Sequence, residues 1–424
     1  MAEIASEHVV APQPPCRLCG SALTHTFVDL GMSPLCESYV SEEDLDKAEP
    51  FYPLHVRICA ECLLVQLAAY VPGEEIFRDY AYFSAYSDSW VEHARRYADM
   101  ISKRLALDGR SLVVELASND GYLLQHFVRA GIPSLGVDPA ANVADAARAR
   151  GVETIVDFFD SRLARQLVAD GRAADLVVAN NVLAQVPELN DFVAGIEIVL
   201  APHGVATVEV PHLARLIEGL QFDTIYHEHY SYFSLTTLVR LASEHGLEAF
   251  DVEELPSHGG SLRVYLKRRG DERHPLQPSL PRVLEAERLR RYDRLEGYAG
   301  FAERVAEAKW RLLELLIELR REGKQVVGYG APGKGNTLLN YCGIRTDLLD
   351  YTVDRNPYKQ GKYLPGTRIP IYPPEAIART RPDVILVLPW NLRREIASQL
   401  AYVREWGARL VVPIPRPEVL EWEA

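Results

Sequence analysis

Hydrophobic and polar positions between residues 111 and 179 predict strands and helices in strict alternation. Short apolar runs predict strands at 111–116, 134–137, 154–155 and 175–179. The segments after them are predicted to be helices, ending near residue 129 or spanning 143–149 and 161–169. This βαβα order is typical of a parallel, doubly wound sheet, so the predicted fold class is α/β.

A second α/β pattern occupies the C-terminal part of the chain. Strands are predicted at 325–329, 349–353, 384–388 and 409–412. Before them lies a charge-rich helical stretch at 284–321, which follows a proline-containing connection at 271–283. Short strands at 27–31 and 54–58, joined by Pro- and Gly-marked loops, are predicted near the N-terminus.

Composition limits the class of protein and its partners. The chain has 424 residues, which predicts two to three domains. A formal net charge of −13 argues against nucleic acid or an anionic membrane as a partner. No apolar run approaches the roughly 20 residues of a membrane span, and residues 1–15 lack a signal-peptide pattern. We therefore expect a cytoplasmic protein.

Four cysteines form two complete Cys-x-x-Cys pairs, Cys16 with Cys19 and Cys59 with Cys62. Two such pairs can place four thiolates around one tetrahedral ion, and zinc is the usual metal of an all-sulfur site. Because all four positions would be filled by protein, the predicted site is structural. Two unrelated turns, or redox-active dithiols, are the alternatives.

A strand that ends in a small-residue turn predicts a cofactor site. Glu115 lies in the strand, Asn119-Asp120-Gly121 form the turn, and Asp138 ends the next strand, where an acid can accept both ribose hydroxyls. This pattern favours S-adenosylmethionine (SAM), since the turn lacks the G-x-G-x-x-G of a dinucleotide site. A generic α/β core with polar strand ends is the alternative. Further along, Asp157-Phe158-Phe159 and Asn180-Asn181 are candidates for the same edge.

The segment 223–232 concentrates acid–base side chains. It contains two histidines, His227 and His229, with Glu228 and Tyr226 among them. Imidazole is the natural group to accept a proton near neutral pH, and phenols can stabilise a developing oxyanion. Chelation of a metal by the two histidines is the alternative, but no further cluster completes such a site.

Two glycine-containing segments are weaker candidates for substrate contacts. In 257–264, a Gly pair permits close approach of a ligand and Arg263 can clamp a phosphate, although a tight turn before an edge strand explains the pattern equally well. The turn 330–336 is similar to a phosphate cradle without the Walker spacing, and an ordinary strand-to-helix turn is the alternative. Asp354-Arg355 follows the next predicted strand and could help to hold a sugar nucleotide.

Taken in order along residues 16–370, these motifs resemble the sugar C-methyltransferases of antibiotic deoxysugar pathways. The segments that carry the resemblance are the two Cys-x-x-Cys pairs, 80–84, 116–124, 179–183, 226–229, 258–263 and 328–336. The resemblance implies a zinc-binding domain at 1–75, a SAM-dependent methyltransferase domain with a Rossmann-like sheet at 76–255, and a second Rossmann-like domain at 256–424 that contributes to sugar-nucleotide binding.

The resemblance also implies a substrate and a mechanism. The substrate would be a thymidine-diphosphate (dTDP)-linked 4-keto-deoxysugar, usually methylated at C-3′. His229 would remove the proton beside the ketone, Glu228 and Tyr226 would shape its pKa and orientation, and Tyr80 would reach in from the segment after the zinc domain.

The site residues expected from the motifs and the resemblance fall into three further groups. Those expected to bind SAM are Glu115, Ala117, Asn119, Asp120, Gly121, Asp138, Pro139, Asp157, Phe158, Phe159, Asn180 and Asn181. Those expected to bind substrate are Tyr82, Ser84, His258, Gly260, Ser261, Arg263, Lys334, Asn336 and Arg355. The zinc ligands are Cys16, Cys19, Cys59 and Cys62.

One position departs from the family pattern: Gln185 stands where a histidine is common. Glutamine can hydrogen-bond but cannot take a proton, so the methylated carbon stays open between C-3′ and C-5′. An epimerase or dehydratase that forms the same enolate, or a binding protein with a degenerate cofactor site, is the remaining alternative. We expect a monomer or a weak homo-oligomer.

Overall fold

A computed structural model describes residues 14–77, 84–86 and 88–421. The N-terminal part contains three strands and a short helix: β1 (His25–Ser33), β2 (Tyr52–Ile58), β3 (Val65–Leu67) and α1 (Gly73–Phe77). Both strands predicted there are confirmed. They extend beyond the predicted runs, and β1 and β2 pair antiparallel over nearly their whole length.

The central part alternates helices and strands as predicted, and adds antiparallel strands at its end. Its elements are α2 (Asp88–Leu105), β4 (Val113–Leu116), α3 (Leu124–Arg129), β5 (Ser134–Val137), α4 (Ala141–Ala149), β6 (Glu153–Ile155), α5 (Ser161–Ala169), β7 (Ala174–Asn180), α6 (Leu189–Val199), β8 (Leu200–Pro211), α7 (Leu213–Glu218), β9 (Ser231–Tyr232), α8 (Leu235–Glu244), β10 (Leu247–Leu255) and β11 (Ser261–Arg268).

The central sheet has the strand order β10-β11-β8-β7-β4-β5-β6. Strands β4 to β8 pair in parallel, whereas β11 pairs antiparallel with both β8 and β10. The doubly wound α/β prediction is confirmed. Because β11 lies between β10 and β8, this sheet continues past residue 255, where the sequence analysis ended the central domain, and β11 is an internal strand rather than an edge strand.

The C-terminal part forms a second mostly parallel sheet with the order β14-β13-β12-β15-β16-β17. Its elements are α9 (Ser279–Leu289), α10 (Phe301–Arg321), β12 (Val326–Tyr329), α11 (Gly333–Cys342), β13 (Thr352–Val353), β14 (Ile371–Tyr372), α12 (Glu375–Thr380), β15 (Val384–Val387), α13 (Arg393–Gln399), β16 (Arg409–Val412) and β17 (Glu418–Val419). The second Rossmann-like unit is confirmed.

The continuous helix predicted at 284–321 is wrong, since α9 and α10 are separate helices. Two glycines explain the break. A Cβ on Gly297 would lie 2.1 Å from the Arg291 carbonyl oxygen, and Gly300 precedes α10 with a φ of +77°. Both positions favour glycine, because an L side chain would clash at the first and strain the backbone at the second.

The three parts pack into one molecule. The N-terminal sheet has the order β1-β2-β3-β9, so β9 of the central part completes it. The ring of Phe27 in β1 stacks on Phe301 of α10, with ring centroids 4.5 Å apart. The loop between α7 and β9, residues 219–230, therefore lies where all three parts meet. Within the described part of the chain, no helix has both the length and the apolar character needed to cross a membrane.

Candidate active site and metal centre

The four cysteines of the two pairs come together. Their sulfur atoms all lie within 4.8 Å of one another, with 3.4 Å between Cys16 and Cys62 and 3.5 Å between Cys19 and Cys59. A zinc ion at about 2.3 Å from each of four tetrahedral sulfurs needs sulfur–sulfur distances of about 3.8 Å, so the residues fit this metal. Three of the four side chains are buried, which suits a structural site. In the described ranges, no other group of three or more His, Cys, Asp or Glu side chains is placed to hold a metal.

The turn after β4 adopts a backbone that small residues favour. Ala117, Asn119 and Gly121 have φ values of +55°, +48° and +76°. A Cβ on Gly121 would lie 3.0 Å from the Val152 side chain and 3.2 Å from that of Ala147. The turn can therefore pass close to these neighbours at the carboxyl edge of β4, which is the edge where doubly wound sheets bind ligands.

Three carboxyl groups are buried at this edge. Asp138 accepts hydrogen bonds from the backbone N–H of Asn119 at 2.8 Å and of Ala140 at 2.9 Å. Burial raises the pKa of Glu115, and the nearby Asp138 and Asp120 raise it further. Burial also raises the pKa of Asp138. A cationic ligand would stabilise the ionised forms of these groups, and SAM carries a sulfonium and an ammonium group.

Two of these carboxyl groups have hydrogen-bonding capacity to spare. Glu115 Oε2 and Asp120 Oδ1 are buried and have no hydrogen-bond partner among the residues that the structure describes. A ligand that donates a hydrogen bond to such an atom gains binding free energy, because an unsatisfied buried acceptor costs roughly 1–3 kcal/mol. The same holds for Asn180 Oδ1 and for both polar side-chain atoms of Asn181. Asn180 is the last residue of β7 and Asn181 follows it, at the same edge of the sheet.

The segment 84–86 lies over this turn. The backbone N–H of Ser84 donates to Asn119 Oδ1 at 2.9 Å, and that of Ala85 donates to Asp120 Oδ2 at 3.1 Å. Ser84 is thereby brought to the predicted cofactor site. Tyr80 and Tyr82, which precede it, lie outside the described residues.

The segment 157–159, which was predicted to lie beside the adenine, directs its side chains to different surroundings. Phe158 is exposed, and Asp157 pairs with Arg162 at 2.8 Å. Phe159 instead packs edge-on against Phe192 in the core, with ring centroids 5.4 Å apart. Alternate side chains of an extended segment face opposite ways, which the sequence could not orient. Pro139 is half-buried beside Asp138.

His229 is half-buried in the loop between α7 and β9. Its Nδ1 donates to the Thr224 carbonyl oxygen at 2.9 Å, so the unprotonated ring nitrogen of the neutral form is Nε2. The ring of Tyr226 packs on it, with centroids 4.1 Å apart. Burial lowers the pKa of His229 to about 4; the hydrogen bond to Thr224 opposes this shift, and the nearby His258 and Lys334 add to it. The imidazole is therefore neutral at pH 7, which is the form that can accept a proton.

The neighbours of His229 along the chain face elsewhere. Glu228 Oε1 lies 3.5 Å from Cys36 Sγ, and burial raises the pKa of Glu228 to about 8. His227 Nε2 lies 3.3 Å from the Pro53 carbonyl oxygen. Glu228 was expected to orient His229 together with Tyr226, but its side chain faces Cys36, because the turn directs consecutive side chains to different surroundings. Tyr226 packs on the imidazole, and the Thr224 carbonyl oxygen accepts its hydrogen bond.

Further charged and polar groups gather beside His229, between the central and C-terminal sheets. Trp390 Nε1 donates to Asp223 Oδ2 at 2.6 Å, and Lys334 Nζ lies 5.0 Å from the Trp390 ring centroid. Burial raises the pKa of Asp223 to about 6 and lowers that of His258 to about 4, to which the charge of Lys334 contributes. Asp223 was not among the predicted site residues, although it opens the motif that carries His229.

The glycine pair after His258 permits this approach of the two sheets. A Cβ on Gly259 would lie 2.6 Å from Trp390, and one on Gly260, whose φ is +121°, would lie 2.7 Å from the Arg215 side chain. His258 itself has a φ of +54° and packs edge-on against Trp90. Ser261 is buried, and its hydroxyl donates to the Ser257 carbonyl oxygen at 3.0 Å.

Arg263 is committed to an internal network. It pairs in register with Glu209 of β8 on one side and Glu253 of β10 on the other, at 2.7 Å and 2.9 Å. It is 4% exposed and lies over the ring of Tyr97. Two carboxylates therefore pair with the guanidinium that the sequence analysis expected to bind a phosphate. The pairing of β11 with β8 and β10, which the sequence alone did not reveal, brings these carboxylates to Arg263.

Two other predicted substrate residues, Asn336 and Arg355, contact other parts of the protein. Asn336 Nδ2 donates to the Cys36 carbonyl oxygen at 2.5 Å, and its Oδ1 is buried without a partner among the described residues. Arg355 is exposed and faces Glu395 at 3.9 Å. Substrate contacts for both residues stay predictions.

Comparisons with known proteins agree with this geometry. Three family models match in turn: a "zinc binding domain" at residues 16–77, a "Methyltransferase domain" at 90–252 and a "C-methyltransferase C-terminal domain" at 256–415. The C-methyltransferase NovU of Streptomyces niveus is 37% identical over 418 residues, which cover 99% of each chain. The chain belongs to the C-methyltransferase family. The resemblance identified from the sequence motifs is thereby confirmed.

As a C-methyltransferase, the protein is an enzyme that uses SAM, and the four-cysteine cluster of its N-terminal domain binds zinc. Solved structures resemble the C-methyltransferase only distantly. Magnesium protoporphyrin IX methyltransferase from Synechocystis PCC 6803 is 16% identical, with a TM-score of 0.32, and the match covers 43% of this chain and 82% of that one. The PH0226 protein from Pyrococcus horikoshii OT3 is 17% identical, with a TM-score of 0.37, over 46% of this chain and 98% of that one.

Proposed function

We propose that this C-methyltransferase methylates a dTDP-linked 4-keto-deoxysugar at C-3′, after His229 removes the proton from that carbon. The observation that carries the proposal is the state of His229. Its imidazole is half-buried and neutral, and the hydrogen bond from Nδ1 to Thr224 leaves Nε2 to accept a proton. A rigidly held neutral base suits proton removal beside a carbonyl.

The donor would bind at the carboxyl edge of the central sheet. Its cationic groups would face the buried carboxyls of Glu115 and Asp120, and its ribose would be held by Asp138. The buried polar atoms of Asn180 and Asn181 that lack partners in the described chain support the same edge as the binding site. SAM supplies a methyl group bonded to a positively charged sulfur, which is a good electrophile.

Proton removal would proceed between the two sheets. The carbon beside the ketone loses its proton to His229 Nε2, and its electron pair delocalises onto the ketone oxygen as an enolate. The hydroxyl of Tyr226 would donate a hydrogen bond to that oxygen, and Tyr80 would complete the pocket. A new carbon–carbon bond then forms as the carbon–sulfur bond of the donor breaks, and S-adenosylhomocysteine leaves as a neutral thioether.

The nucleotide end of the substrate would lie toward the C-terminal sheet. The charge of Lys334 lowers the pKa of both His229 and His258, so this cation is close enough to the base to hold the diphosphate or the sugar. His258 would be a polar contact for the sugar. The division of the chain at residues 75 and 255, a cytoplasmic location and a monomer or weak homo-oligomer also remain predictions.

The position of methylation is a separate question, because Gln185 replaces a common histidine. Methylation at C-5′ is the alternative that this replacement leaves open, and reprotonation of the enolate without methylation is less consistent with the C-methyltransferase family. Carbon–proton NMR of the product formed from a methyl-labelled donor would locate the new methyl group and decide between C-3′ and C-5′.

The proposed base is tested by proton exchange in the absence of methyl transfer. The keto-sugar nucleotide is incubated with the protein and S-adenosylhomocysteine in deuterated water, and deuterium at the carbon beside the ketone is followed by NMR. We expect wild type to catalyse exchange and His229→Gln to lose about 100-fold or more of the rate.

His227→Gln is the matched control, since His227 lies two residues away and contacts the Pro53 carbonyl oxygen. It should retain most of the exchange activity. Exchange that persists in His229→Gln but disappears in His227→Gln would transfer the role of base to His227. Exchange unaffected by either change would disprove the proposal for this loop.

A further inference from the structure

The loop that carries His229 is attached to all three parts of the protein. At one end, the Thr337 hydroxyl of α11 donates to the Ile225 carbonyl oxygen at 2.9 Å. At the other end, the Tyr230 N–H donates to the Ala184 carbonyl oxygen of the central part at 2.8 Å. The third attachment comes from the zinc-binding domain.

That third attachment is the side chain of Arg17, which lies between the zinc ligands Cys16 and Cys19. Its Nη1 donates to the Tyr230 carbonyl oxygen and, at 3.2 Å, to Ser231 Oγ. Its Nη2 donates to the Leu67 carbonyl oxygen at 2.8 Å. Tyr230 directly follows His229. The guanidinium of Arg17, a residue of the zinc knuckle Cys16–Cys19, therefore binds the main chain one residue from the proposed base.

The main chain of Arg17 is fixed just as closely. Its N–H donates to Gln66 Oε1 at 3.0 Å, and Gln66 Nε2 in turn donates to Cys16 Sγ at 3.1 Å. Its carbonyl oxygen accepts from Asn190 Nδ2 at 2.9 Å. The position of the guanidinium is therefore set by the same small unit that holds the zinc ligands.

The use of arginine here calls for an explanation beyond packing. An arginine side chain is a cation at pH 7, yet the guanidinium of Arg17 donates its hydrogen bonds to carbonyl and hydroxyl oxygens. Burying such a charge is unfavourable, and an apolar side chain would fill the space without this desolvation. A guanidinium offers what an apolar group cannot, which is several donors in a rigid fork that can hold three acceptors at once.

We propose that Arg17 is a positioning residue that couples the zinc knuckle to the loop bearing His229. The proposal rests on the proposed role of His229 as the base. Arg17 does not touch the reacting atoms. It binds the carbonyl oxygen of Tyr230, the residue after His229, and the Leu67 N–H donates to the same oxygen at 2.9 Å. Binding of zinc would thereby order the active site as well as the N-terminal domain.

The test uses the full-length protein with Arg17→Gln, and Arg240→Gln as the matched control. Arg240 also reaches a zinc knuckle, donating to the Glu61 carbonyl oxygen between Cys59 and Cys62 at 2.6 Å, but it contacts no residue of the His229 loop in the described structure. Three quantities are measured: zinc per chain, amide hydrogen exchange in peptides covering 226–232, and kcat with KM.

We expect Arg17→Gln to keep its zinc, to exchange the amides of 226–232 at least several-fold faster, and to lose roughly 10- to 100-fold in kcat with little change in KM for SAM. Arg240→Gln should match wild type in all three. Arg17→Lys, which keeps one charged donor, should recover part of the lost protection and rate.

Unchanged amide protection in Arg17→Gln would overturn the proposal, and so would an equal effect in Arg240→Gln. Loss of zinc in both Arg17→Gln and Arg17→Lys would also overturn it, because the role would then be folding of the knuckle. The amide measurement needs no substrate. If His229 is not the base, His229→Gln keeps the deuterium exchange of the substrate, while the amide protection of the loop still reports on Arg17.

Discussion

The Nδ1–H of His229 donates to the carbonyl oxygen of Thr224 at 2.9 Å, five residues earlier in the same loop. This single contact fixes the tautomer of the imidazole and leaves Nε2 as its acceptor. Because a backbone carbonyl cannot be removed by substitution, the contact is best probed through its consequences for protonation and stability.

The first prediction concerns protonation of His229. Its pKa is about 4 in the folded protein, below the ordinary value of 6.5. The unfolded chain therefore binds more protons between pH 6.5 and pH 4, so this contribution to stability is complete above pH 6.5 and is lost as the pH falls through that window. Relative to His229→Gln, we expect wild type to lose about 2 kcal/mol of unfolding free energy between pH 7 and pH 5. Urea titrations at both pH values measure it, and parallel pH profiles for the two proteins would contradict it.

The second prediction concerns Glu228, whose shift has the opposite sign. Burial raises the pKa of Glu228 from 4.5 to about 8, so the folded protein binds the extra proton and stability is lost as the pH rises through this range. Against Glu228→Gln, wild type should lose about 2 kcal/mol between pH 5 and pH 7. The contributions of Glu228 and His229 to unfolding free energy change with pH in opposite directions and nearly cancel in wild type. Only the two variants therefore reveal each contribution. A Glu228→Gln protein with the pH profile of wild type would show that the carboxyl group ionises freely.

The third prediction concerns the metal. We expect one zinc per chain, and we expect Cys59→Ser to lose it and to destabilise the N-terminal domain by several kcal/mol, because structural zinc contributes roughly 10 kcal/mol in small zinc domains. Cys342→Ser is the control, since Cys342 is buried in α11 away from the cluster. Elemental analysis gives the zinc content and thermal unfolding the stability. Full zinc content in Cys59→Ser would exclude this cysteine as a ligand.

The fourth prediction concerns the donor. Asp138→Ala should weaken SAM binding by roughly 1.5–3 kcal/mol, which is roughly 10- to 150-fold in Kd, while affinity for the sugar nucleotide stays nearly unchanged. Asp138→Asn should lose less, because the amide oxygen can still accept one of the N–H groups of Asn119 and Ala140. Calorimetry with each ligand separates the two affinities. The reverse pattern would assign the sugar nucleotide to the central sheet.

Local chemistry was sufficient for much of the fold and for part of the site. The two Cys-x-x-Cys pairs identified the metal ligands because they supply the four thiolates that complete a tetrahedral coordination. Apolar runs of strand length alternating with helical segments identified both parallel sheets, because burial on both faces leaves a continuous apolar pattern. The turn at Asn119–Gly121 and the acid at Asp138 were found from their spacing along one βαβ unit, in which sequence neighbours are also neighbours in space.

Contacts between distant segments were decided only by the tertiary structure. Arg263 faces Glu209 and Glu253 because β11 inserts between β8 and β10, and no local pattern encodes that register. Asp223 meets Trp390, 167 residues away, where two sheets converge. Glu228 faces Cys36 rather than His229, since the path of a turn, not the order of residues, sets the direction of each side chain. Sequence by itself determined which residue types are present and how each segment folds locally; packing of the three parts determined which of them meet, because side-chain charge and burial depend on neighbours that the chain brings together only on folding.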